Sequence, residues 1–380
     1  MSDTTRSAGL GTIIVEWGRI GVTGFGGPPV HIAMFRRLCV ERRGWITDEE
    51  FEDSIAACNM LPGPASTQLA IHSAYRVGGI AGAVIGGLAF ILPGFAAIVV
   101  LSALFFASSP PGIVLATGAG AASAVAAVAV SAGVGLAQSS WTRATVRWRW
   151  SLYVVLGLVT AAVAGTYVVV VLLACGFAEL IVVRGGAVSP AVMLFNTSGV
   201  VATGGILGLS WLAFKVGALS YGGGFVIIPL MQNDAVSVYQ WMTDAQFLNV
   251  VALGQVTPGP VVLTVAAVGY AAFGIGGAAL ATVIAFGPSF VFVIGGARRF
   301  DSLRSNQNVR AFLDGAGPTA IGAILGAAIP LAAALDHDWQ YAVCAAALVW
   351  AVIWRKGVVS TLVGAASIGV VVFVVGGPIT

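Results

Sequence analysis

Long apolar stretches fill most of this 380-residue chain, and short polar or basic loops separate them. Two of the stretches are broken by similar motifs, which read Leu61-Pro62-Gly63-Pro64 in the first half and Thr257-Pro258-Gly259-Pro260 in the second. Proline has no backbone N–H and disfavours helical geometry in the residue before it, so a helix has to stop at each motif. In hydrocarbon, a break is tolerated only where the freed backbone groups are buried in protein or face water. The pattern therefore predicts two broken helices at a binding site.

The remaining apolar positions predict further helices. Residues 9–35 form an apolar segment that is interrupted between Gly24 and Pro29, and a basic loop follows it. Thr47 with Glu50 three residues later is a capping box, which predicts a helix from Thr47 to the first Pro-Gly-Pro break. A helix of small residues is expected over 113–138. Residues 151–183 are too long for one crossing, so they predict two short helices with a turn near Gly165.

Composition places these helices in a membrane. Hydrophobic residues make up 58% of the chain, charged residues make up 9%, and the mean hydropathy is +0.97. At about 20 residues for each crossing, the sequence predicts an all-α polytopic membrane protein with roughly ten to fourteen spanning or half-spanning segments. The 51 glycines allow helices to approach closely in lipid. No soluble domain is evident, a cleaved signal peptide is not expected, and no feature indicates a nucleic-acid partner.

The second half of the chain repeats the first at an offset of 196 residues. Trp and Asp stay in step along with Gly, so a general richness in glycine and alanine does not explain the match. We predict two repeats, residues 1–186 and residues 187–380. Matching positions include Gly21 and Gly217, Phe25 and Tyr221, Gly26-Gly27 and Gly222-Gly223, and Trp45 and Trp241.

Loop charge predicts that the two repeats have opposite orientations in the membrane. Loop 36–50 carries four arginines, whereas its counterpart 232–244 carries two aspartates and no basic residue. The turn 108–112 has no basic residue, whereas its counterpart 298–310 carries four arginines. Because basic loops remain on the cytoplasmic side, this exchange of charge predicts an inverted repeat with broken helices at its centre. Two parallel repeats with chance loop charges are the alternative.

In an inverted repeat the two breaks meet near the membrane midplane, where helix N-termini present unpaired N–H groups and a partial positive charge. Such ends suit an anion. Amide side chains precede the breaks at Asn59 and Gln255, and capping of the helix ends is the alternative role for the polar residues here. The candidate substrate-binding residues around the breaks are Gly26, Gly27, Asn59, Pro62, Gly63, Pro64, Ser66, Thr67 and Gln68 in the first repeat, and Tyr221, Gly222, Gly223, Gln255, Pro258, Gly259, Pro260 and Thr264 in the second.

Arg19 and Lys215 occupy matching positions in the apolar segments that precede the glycine motifs. A basic residue deep in a membrane costs about 2.5–3.5 kcal/mol and is a functional candidate by default. We therefore predict that both cations bind the substrate and that a small dianion fits best. The alternative is that both side chains extend to opposite membrane surfaces. Glu16, Glu179 and Asp314 are acidic residues in apolar surroundings and candidate proton carriers, although Glu16 could equally pair with Arg19.

No catalytic or metal-binding pattern stands out, so we expect no enzyme activity, no cofactor and no metal. The four cysteines are scattered without CxxC spacing, which argues against a disulfide framework or a zinc site. His31 and His72 are isolated from other metal ligands in the sequence. The chain contains no HExxH, GxSxG or Walker A motif.

One combination of motifs spans nearly the whole chain. It consists of Phe25-Gly26-Gly27-Pro28 with His31, Arg36-Arg37, Arg42-Arg43, the two Pro-Gly-Pro motifs and Tyr221-Gly222-Gly223-Gly224. This combination resembles the chromate ion transporter (CHR) family in its long, two-domain form, and Asn59 departs from the family pattern, which has Gln there. The resemblance implies efflux of chromate across the bacterial inner membrane and hence chromate resistance, with sulfate as a chemical look-alike.

Two alternative functions stay open at this point. One is an anion channel of similar architecture, and the other is a membrane-embedded chromate reductase, which would need a redox group that the sequence does not obviously supply. The expected partners are a small inorganic oxyanion, either chromate or sulfate, and the lipid bilayer. The sequence leaves open the coupling ion, the side of the N-terminus and whether the chain forms a homodimer.

Overall fold

The computed structural model describes residues 8–59, 61, 63–184, 204–220, 224–296 and 306–379. All regular structure within these ranges is helical, which confirms the predicted all-α class. The helices of the first half are α1 (Leu10–Thr23), α2 (Pro28–Arg36), α3 (Asp48–Cys58), α4 (Ala65–Phe105), α5 (Gly112–Ser123), α6 (Val125–Arg143), α7 (Arg147–Val163) and α8 (Val168–Arg184). Those of the second half are α9 (Ile206–Leu219), α10 (Ile228–Gln232), α11 (Asp244–Val256), α12 (Thr264–Gly296), α13 (Gln307–Ala333), α14 (Asp338–Leu348) and α15 (Val358–Val374).

Local elements recur at the 196-residue offset. A π-helical turn follows α2 at Arg37–Arg42, and another follows α10 at Asn233–Val238. Both α3 and α11 begin with a capping box, in which the hydroxyl of Thr47 or Thr243 accepts from the N–H three residues later at 3.2 Å. The capping box predicted at Thr47 is confirmed. The same short-range signals therefore build the same elements twice.

The two longest helices are hairpins. α4 contains Gly79 with φ +64°, and α12 contains Gly274 with φ +61°, a backbone region that favours glycine. A β-carbon built on Gly82 would lie 2.5 Å from Ala74 O, although residues eight apart in a straight helix are separated by about 12 Å. The chain therefore reverses at each glycine. A short re-entrant helix, 65–78 or 264–272, packs against a long one, 80–105 or 275–296.

The turn of the first hairpin lies beside the basic loop that precedes α3. Arg76 pairs with Glu50, and Ala8 N donates to Val77 O at 3.2 Å. Hydrogen bonds from Thr47, with the Arg76 charge, hold the pKa of the Glu50 carboxyl below its usual range, although partial burial opposes them. The carboxylate therefore stays ionised and paired at neutral pH. The start of α1, loop 36–50 and the hairpin turn thus lie on one side of the molecule.

Small residues allow α13 to pack closely against α7 and α8. A β-carbon built on Gly322 would lie 1.9 Å from Val154 O, and one built on Gly315 would lie 2.2 Å from Cys175 O. No side chain fits at those distances. Close packing of this kind is how helices associate in lipid, where exclusion of apolar surface from water does not act between them.

The last helices of each half pack against the opposite half. α7 and α8 contact α13, while α15 contacts α5. A β-carbon built on Gly120 of α5 would lie 2.4 Å from Ala365 O of α15, which mirrors the approach of Gly315 to α8. One apolar core consequently runs through both halves. The predicted boundary between the repeats, after residue 186, lies outside the described residues.

Among the described residues, five helical segments are long and apolar enough to cross a membrane. Large apolar side chains such as Leu92, Val163 and Val283 face outwards, as they would towards lipid. The chain is therefore a polytopic membrane protein. The five segments are Ala65–Phe105, Gly112–Arg143, Gly165–Val183, Val261–Gly296 and Gln307–Ala333.

Two sequence predictions concern helix boundaries in the first half. The helix predicted over 113–138 is present within the apolar segment Gly112–Arg143, and a tight turn, in which Ala124 N bonds to Ala121 O at 3.1 Å, divides this segment into α5 and α6. The two short helices predicted over 151–183 are confirmed as α7 and α8, with a 3₁₀ turn at Gly165–Tyr167 between them.

Candidate functional site

A cavity of about 860 Å³ reaches both helix breaks. Its wall includes Ala65, the first residue of α4, and Val261, which begins the 3₁₀ turn before α12. The rest of the wall comes mainly from α3, α6, α7 and α13. Both interrupted helices therefore start at the same cavity.

The first break is held in shape by residues of both halves. Gly63 has φ +122°, and a β-carbon built on it would lie 2.7 Å from Gln68 Nε2 and 3.0 Å from Ser289 Oγ. Only glycine satisfies both restrictions. No side chain caps the start of α4, so its first N–H groups carry the partial positive charge of a helix N-terminus.

The second break is tied to the first half of the chain. Gly259 N donates to Gly24 O at 3.0 Å, and His31 Nε2 donates to the same oxygen at 2.8 Å. A β-carbon built on Gly94 of α4 would lie 2.3 Å from Pro258 O, while α12 contacts the first break. The long helix of each half thus supports the break of the other half.

The structure divides the predicted site residues into three groups. Gly26, Gly27, Asn59, Gly63 and Gln255 line the cavity. Pro64, Ser66, Thr67, Gln68, Pro258, Gly259, Pro260 and Thr264 form the breaks or lie directly behind them, and they are not part of the wall. Pro62, Tyr221, Gly222 and Gly223 lie outside the described residues.

The polar side chains at the breaks differ in what they bond. Thr264 Oγ1 donates to Val261 O at 2.7 Å, so this hydroxyl satisfies the backbone of its own turn. Gln255 is only 6% exposed, and its Nε2 has no partner among the described residues. The buried hydroxyls of Thr67 and Ser289 likewise have no partner there. Buried donors without partners are uncommon in folded proteins, so the amide of Gln255 is a candidate ligand contact.

The structure does not bring Arg19 and Lys215 together at the cavity. Arg19 is exposed on the outer face of α1. Lys215 pairs with Asp234, which is 5% exposed, and its ammonium lies 5.7 Å from the Trp211 ring centroid. Lys215 has Asp234 as a partner, whereas the position that matches Asp234 in the first half is Leu38, so Arg19 has no equivalent partner there.

Glu16 pairs with two arginines of the basic loop, Arg42 and Arg43, and not with Arg19. Its partners come from the π-helical turn that follows α2 and the residue after it. The sequence alternative that joined Glu16 to Arg19 was therefore wrong. Among the described residues, no group of three or more His, Cys, Asp or Glu is placed to hold a metal ion.

The sequence did not lead us to predict that Arg149, Tyr153 and Glu179 lie together on the cavity wall. Arg149 Nη2 lies 3.3 Å from Glu179 Oε1, and the Tyr153 hydroxyl donates to Glu179 Oε2 at 2.9 Å. Asp314 and Arg143 line the same cavity. A signal was available, because Arg149 and Tyr153 are four residues apart and so share one helix face.

A second, smaller cavity of about 210 Å³ is lined by both halves, and several of its wall residues match wall residues of the large cavity at the 196-residue offset. Thr117, Gly118 and Ala121 of α5 line it, and the residues 196 positions later line the large cavity. Those later residues are Leu313, Asp314 and Gly317. The molecule therefore has two equivalent spaces of very different size.

Several proteins of known name are similar to this chain over most of its length. The chain is 31% identical over 397 residues to a chromate transport protein of Cupriavidus metallidurans, an alignment that covers 98% of this chain and 97% of the relative. It is 31% identical over 331 residues to a chromate transport protein of Pseudomonas aeruginosa, covering 83% and 79% of the two chains. A probable chromate transport protein of Synechococcus elongatus is 30% identical over 337 residues, 84% of each chain. Among solved structures, none matches this chain at a significant level.

The family model described as "Chromate transporter" matches residues 11–180 and again residues 207–371. The two matched segments correspond to the two sets of helices, α1–α8 and α9–α15. The protein described above therefore belongs to the chromate transporter family.

Proposed function

We propose that the protein is a secondary transporter, and not an enzyme, that exports chromate from the cytoplasm across the bacterial inner membrane and so confers chromate resistance. The observation that carries the proposal is one cavity that reaches the starts of both broken helices and has arginines on its wall. Helix N-termini and arginine side chains both favour anions. Chromate is the substrate named for the relatives, and sulfate shares its tetrahedral shape and charge, so we propose sulfate as a competing substrate.

The proposed anion-binding site lies between the two breaks. The first N–H groups of the interrupted helices and the Gln255 amide are its donors, while Gly26, Gly27 and Gly63 leave room for the anion. Asn59 supplies a second amide on the wall. Thr264 bonds to the backbone of its own turn, and Ser66, Thr67 and Gln68 lie behind the first break, outside the cavity wall. Arg19 and Lys215 are not part of this proposed anion-binding site.

We further propose that the two repeats are inverted relative to each other. Gly133 of α6 packs against Leu325 of α13, and the charge of Arg143, ten residues later, acts on Asp314, eleven residues earlier. α13, which matches α5 and most of α6 at the 196-residue offset, therefore runs antiparallel to α6, as inversion requires. Reporter tags in the arginine loop after Phe35 and after Met231 should appear on opposite faces of the membrane, and tags on the same face would contradict the inversion.

The cavity is proposed to open to the cytoplasm. Arg143 ends α6 and Arg149 lies in the first turn of α7, so both flank the short connection between these helices, and both line the cavity. Connections with basic residues remain on the cytoplasmic side. Moving two negative charges out of a negative-inside cell releases about 4.6 kcal/mol per 100 mV, at about 2.3 kcal/mol per charge. The membrane potential alone can therefore drive export.

Transport into inverted vesicles and proteoliposomes tests the proposal. We expect radiolabelled chromate to accumulate when the potential favours it, excess unlabelled sulfate to compete, and chromium to remain in its hexavalent state. Accumulation should follow the imposed potential and saturate with chromate concentration. Reduction of chromium would indicate an enzyme, a steady single-channel current would indicate a channel, and absence of any chromate flux would overturn the proposal.

A further inference from the structure

Arg149 and Glu179 form an ion pair on the wall of the large cavity, with Nη2 and Oε1 3.3 Å apart. Tyr153, one turn further along α7, donates its hydroxyl to the other carboxylate oxygen at 2.9 Å. Glu179 is only 6% exposed. A buried carboxylate in a membrane helix needs such a counter-charge, because an unpaired charge there is strongly destabilising.

Arg149 also has a donor that is not in use. Its Nε is buried and has no partner among the described residues. A guanidinium presents Nε–H and Nη–H in a planar fork, which matches the oxygens of a tetrahedral oxyanion. One side of the guanidinium faces Glu179. An anion that took the full charge of Arg149 would have to displace the carboxylate.

We infer that oxyanion binding at Arg149 displaces Glu179 and is coupled to the uptake of one proton by that carboxylate. The inference rests on the proposed transport of an oxyanion. Once displaced, the carboxylate would face a dianion without a cation of its own, which favours its protonated form. The proton comes from the buffered solution through the open cavity, leaving the buffer in its deprotonated form, and goes to Oε1, the oxygen that Arg149 leaves. When the anion departs, Arg149 pairs with Glu179 again and the proton is released.

Other charges around the pair set the pH range of this exchange. Asp314 is a second carboxylate on the wall, and its negative charge adds to that of Glu179. It is therefore the competing site for the proton, and the experiment has to separate the two. The titratable and charged groups that face Glu179 or its neighbour Asp314 are Arg149 and Tyr153 on α7, Asp314 and Arg310 on α13, Arg143 on α6 and Cys175 on α8 itself.

Isothermal titration calorimetry in buffers of different ionisation enthalpy measures the proton uptake. The full chain in lipid nanodiscs is titrated with chromate, above the pH at which chromate itself takes up a proton. The unmodified protein should take up a fraction of a proton approaching one per anion, and its Kd should rise by up to about tenfold per pH unit. Glu179→Gln still accepts the Tyr153 hydrogen bond, and it should bind chromate without proton uptake at a Kd that does not change with pH.

Four further variants make the result specific. Asp314→Asn should retain proton uptake, and Arg149→Gln should bind chromate weakly at every pH. Glu41→Gln changes an exposed carboxylate on the π-helical turn and should match the unmodified protein. Glu179→Asp keeps a titratable group and should keep the uptake, which guards against a folding defect in Glu179→Gln.

Proton uptake that persists in Glu179→Gln would overturn the inference, and so would its loss in Asp314→Asn alone. Chromate binding to the unmodified protein without any proton uptake would overturn it while leaving the proposed transport intact. Absence of both chromate binding and chromate flux would overturn the proposed function, and this inference with it.

Discussion

At the scale of single residues, Gln255 is the clearest candidate for substrate contact. Its amide is buried, lines the cavity and has a donor without a partner among the described residues. Burial of an unsatisfied donor costs about 1–3 kcal/mol. A residue that lowers stability in this way is expected where the partner is a ligand.

Replacing Gln255 with Leu should therefore separate stability from affinity. Loss of a hydrogen bond to a charged group costs about 1.5–3 kcal/mol, so Kd for chromate should rise by roughly tenfold to a hundredfold. The melting temperature should stay the same or increase, because the unsatisfied amide is gone. Gln138→Leu on the exposed face of α6 is the matched control and should leave Kd unchanged. An unaltered Kd in Gln255→Leu would remove this residue from the site.

Lys215 shows how the structure changes a prediction made from sequence. The sequence alone suggests that its removal stops transport without affecting abundance, since a matching cation stands at Arg19. The ion pair with the buried Asp234 predicts a folding defect, because an uncompensated buried charge costs about 3–5 kcal/mol. Lys215→Met should lower the amount of folded protein in the membrane.

The double variant Lys215→Met with Asp234→Leu should restore both the amount of folded protein and transport. Leu is the residue that the first half has at the position matching Asp234. Immunoblots of membranes and chromate flux per molecule check the two effects separately. Restored abundance without transport would instead assign Lys215 a direct role in transport.

At the scale of elements, glycine decides how closely the helices approach. α13 touches the backbone of α7 at Gly322, where a β-carbon would lie 1.9 Å from Val154 O. Gly364 of α15 has no neighbouring atom within 4 Å of its built β-carbon. The two positions are alike in sequence terms, since both are glycines within apolar helices, but only one lies at a helix contact.

Gly322→Ala should therefore destabilise the protein by about 1–3 kcal/mol, the usual cost of overpacking. Gly364→Ala should leave stability unchanged or raise it slightly, since alanine is the better helix former. Thermal unfolding of both variants in detergent, followed by size-exclusion chromatography, compares them directly. Equal melting temperatures would show that α7 and α13 are not packed as described.

At the scale of the whole molecule, the two cavities are unequal versions of one arrangement. Ala56 of α3 lines the large cavity, and Ala252, 196 positions later on α11, lines the small one. Rocking of the two repeats about the breaks would exchange the sizes of the two spaces. Alternating access in inverted repeats works in this way.

Cysteines at Ala56 and Ala252 should report that exchange. In a background whose four native cysteines are replaced, a membrane-impermeant thiol reagent should label Ala56→Cys from the cytoplasmic face and leave Ala252→Cys protected. Turnover with chromate should slow the first reaction and speed the second, from the opposite face. Labelling of both positions from one face would contradict the exchange of cavities.

Much of the fold was predictable because the responsible interactions are short-range. The helix starts at Thr47 and Thr243 follow from residues three positions apart. The Pro-Gly-Pro motifs stop a helix, whereas single prolines such as Pro93 and Pro288 lie within α4 and α12. The reversal at Gly79 was not predicted, because a glycine within an apolar run fits a continuous helix equally well. Only the packing of the two arms of the hairpin decides that the chain turns there.

The sequence by itself determined the membrane character of the chain, the positions of the helix breaks and the repetition of elements, because each depends on composition or on neighbouring residues. The tertiary structure alone decided which charges are satisfied and which face the cavity. Lys215 meets Asp234 through a π-helical turn, and Arg149 meets Glu179 across two helices, 30 residues apart in sequence. Whether a cation can bind a substrate depends on the partners that the fold gives it, and no local pattern carries that information.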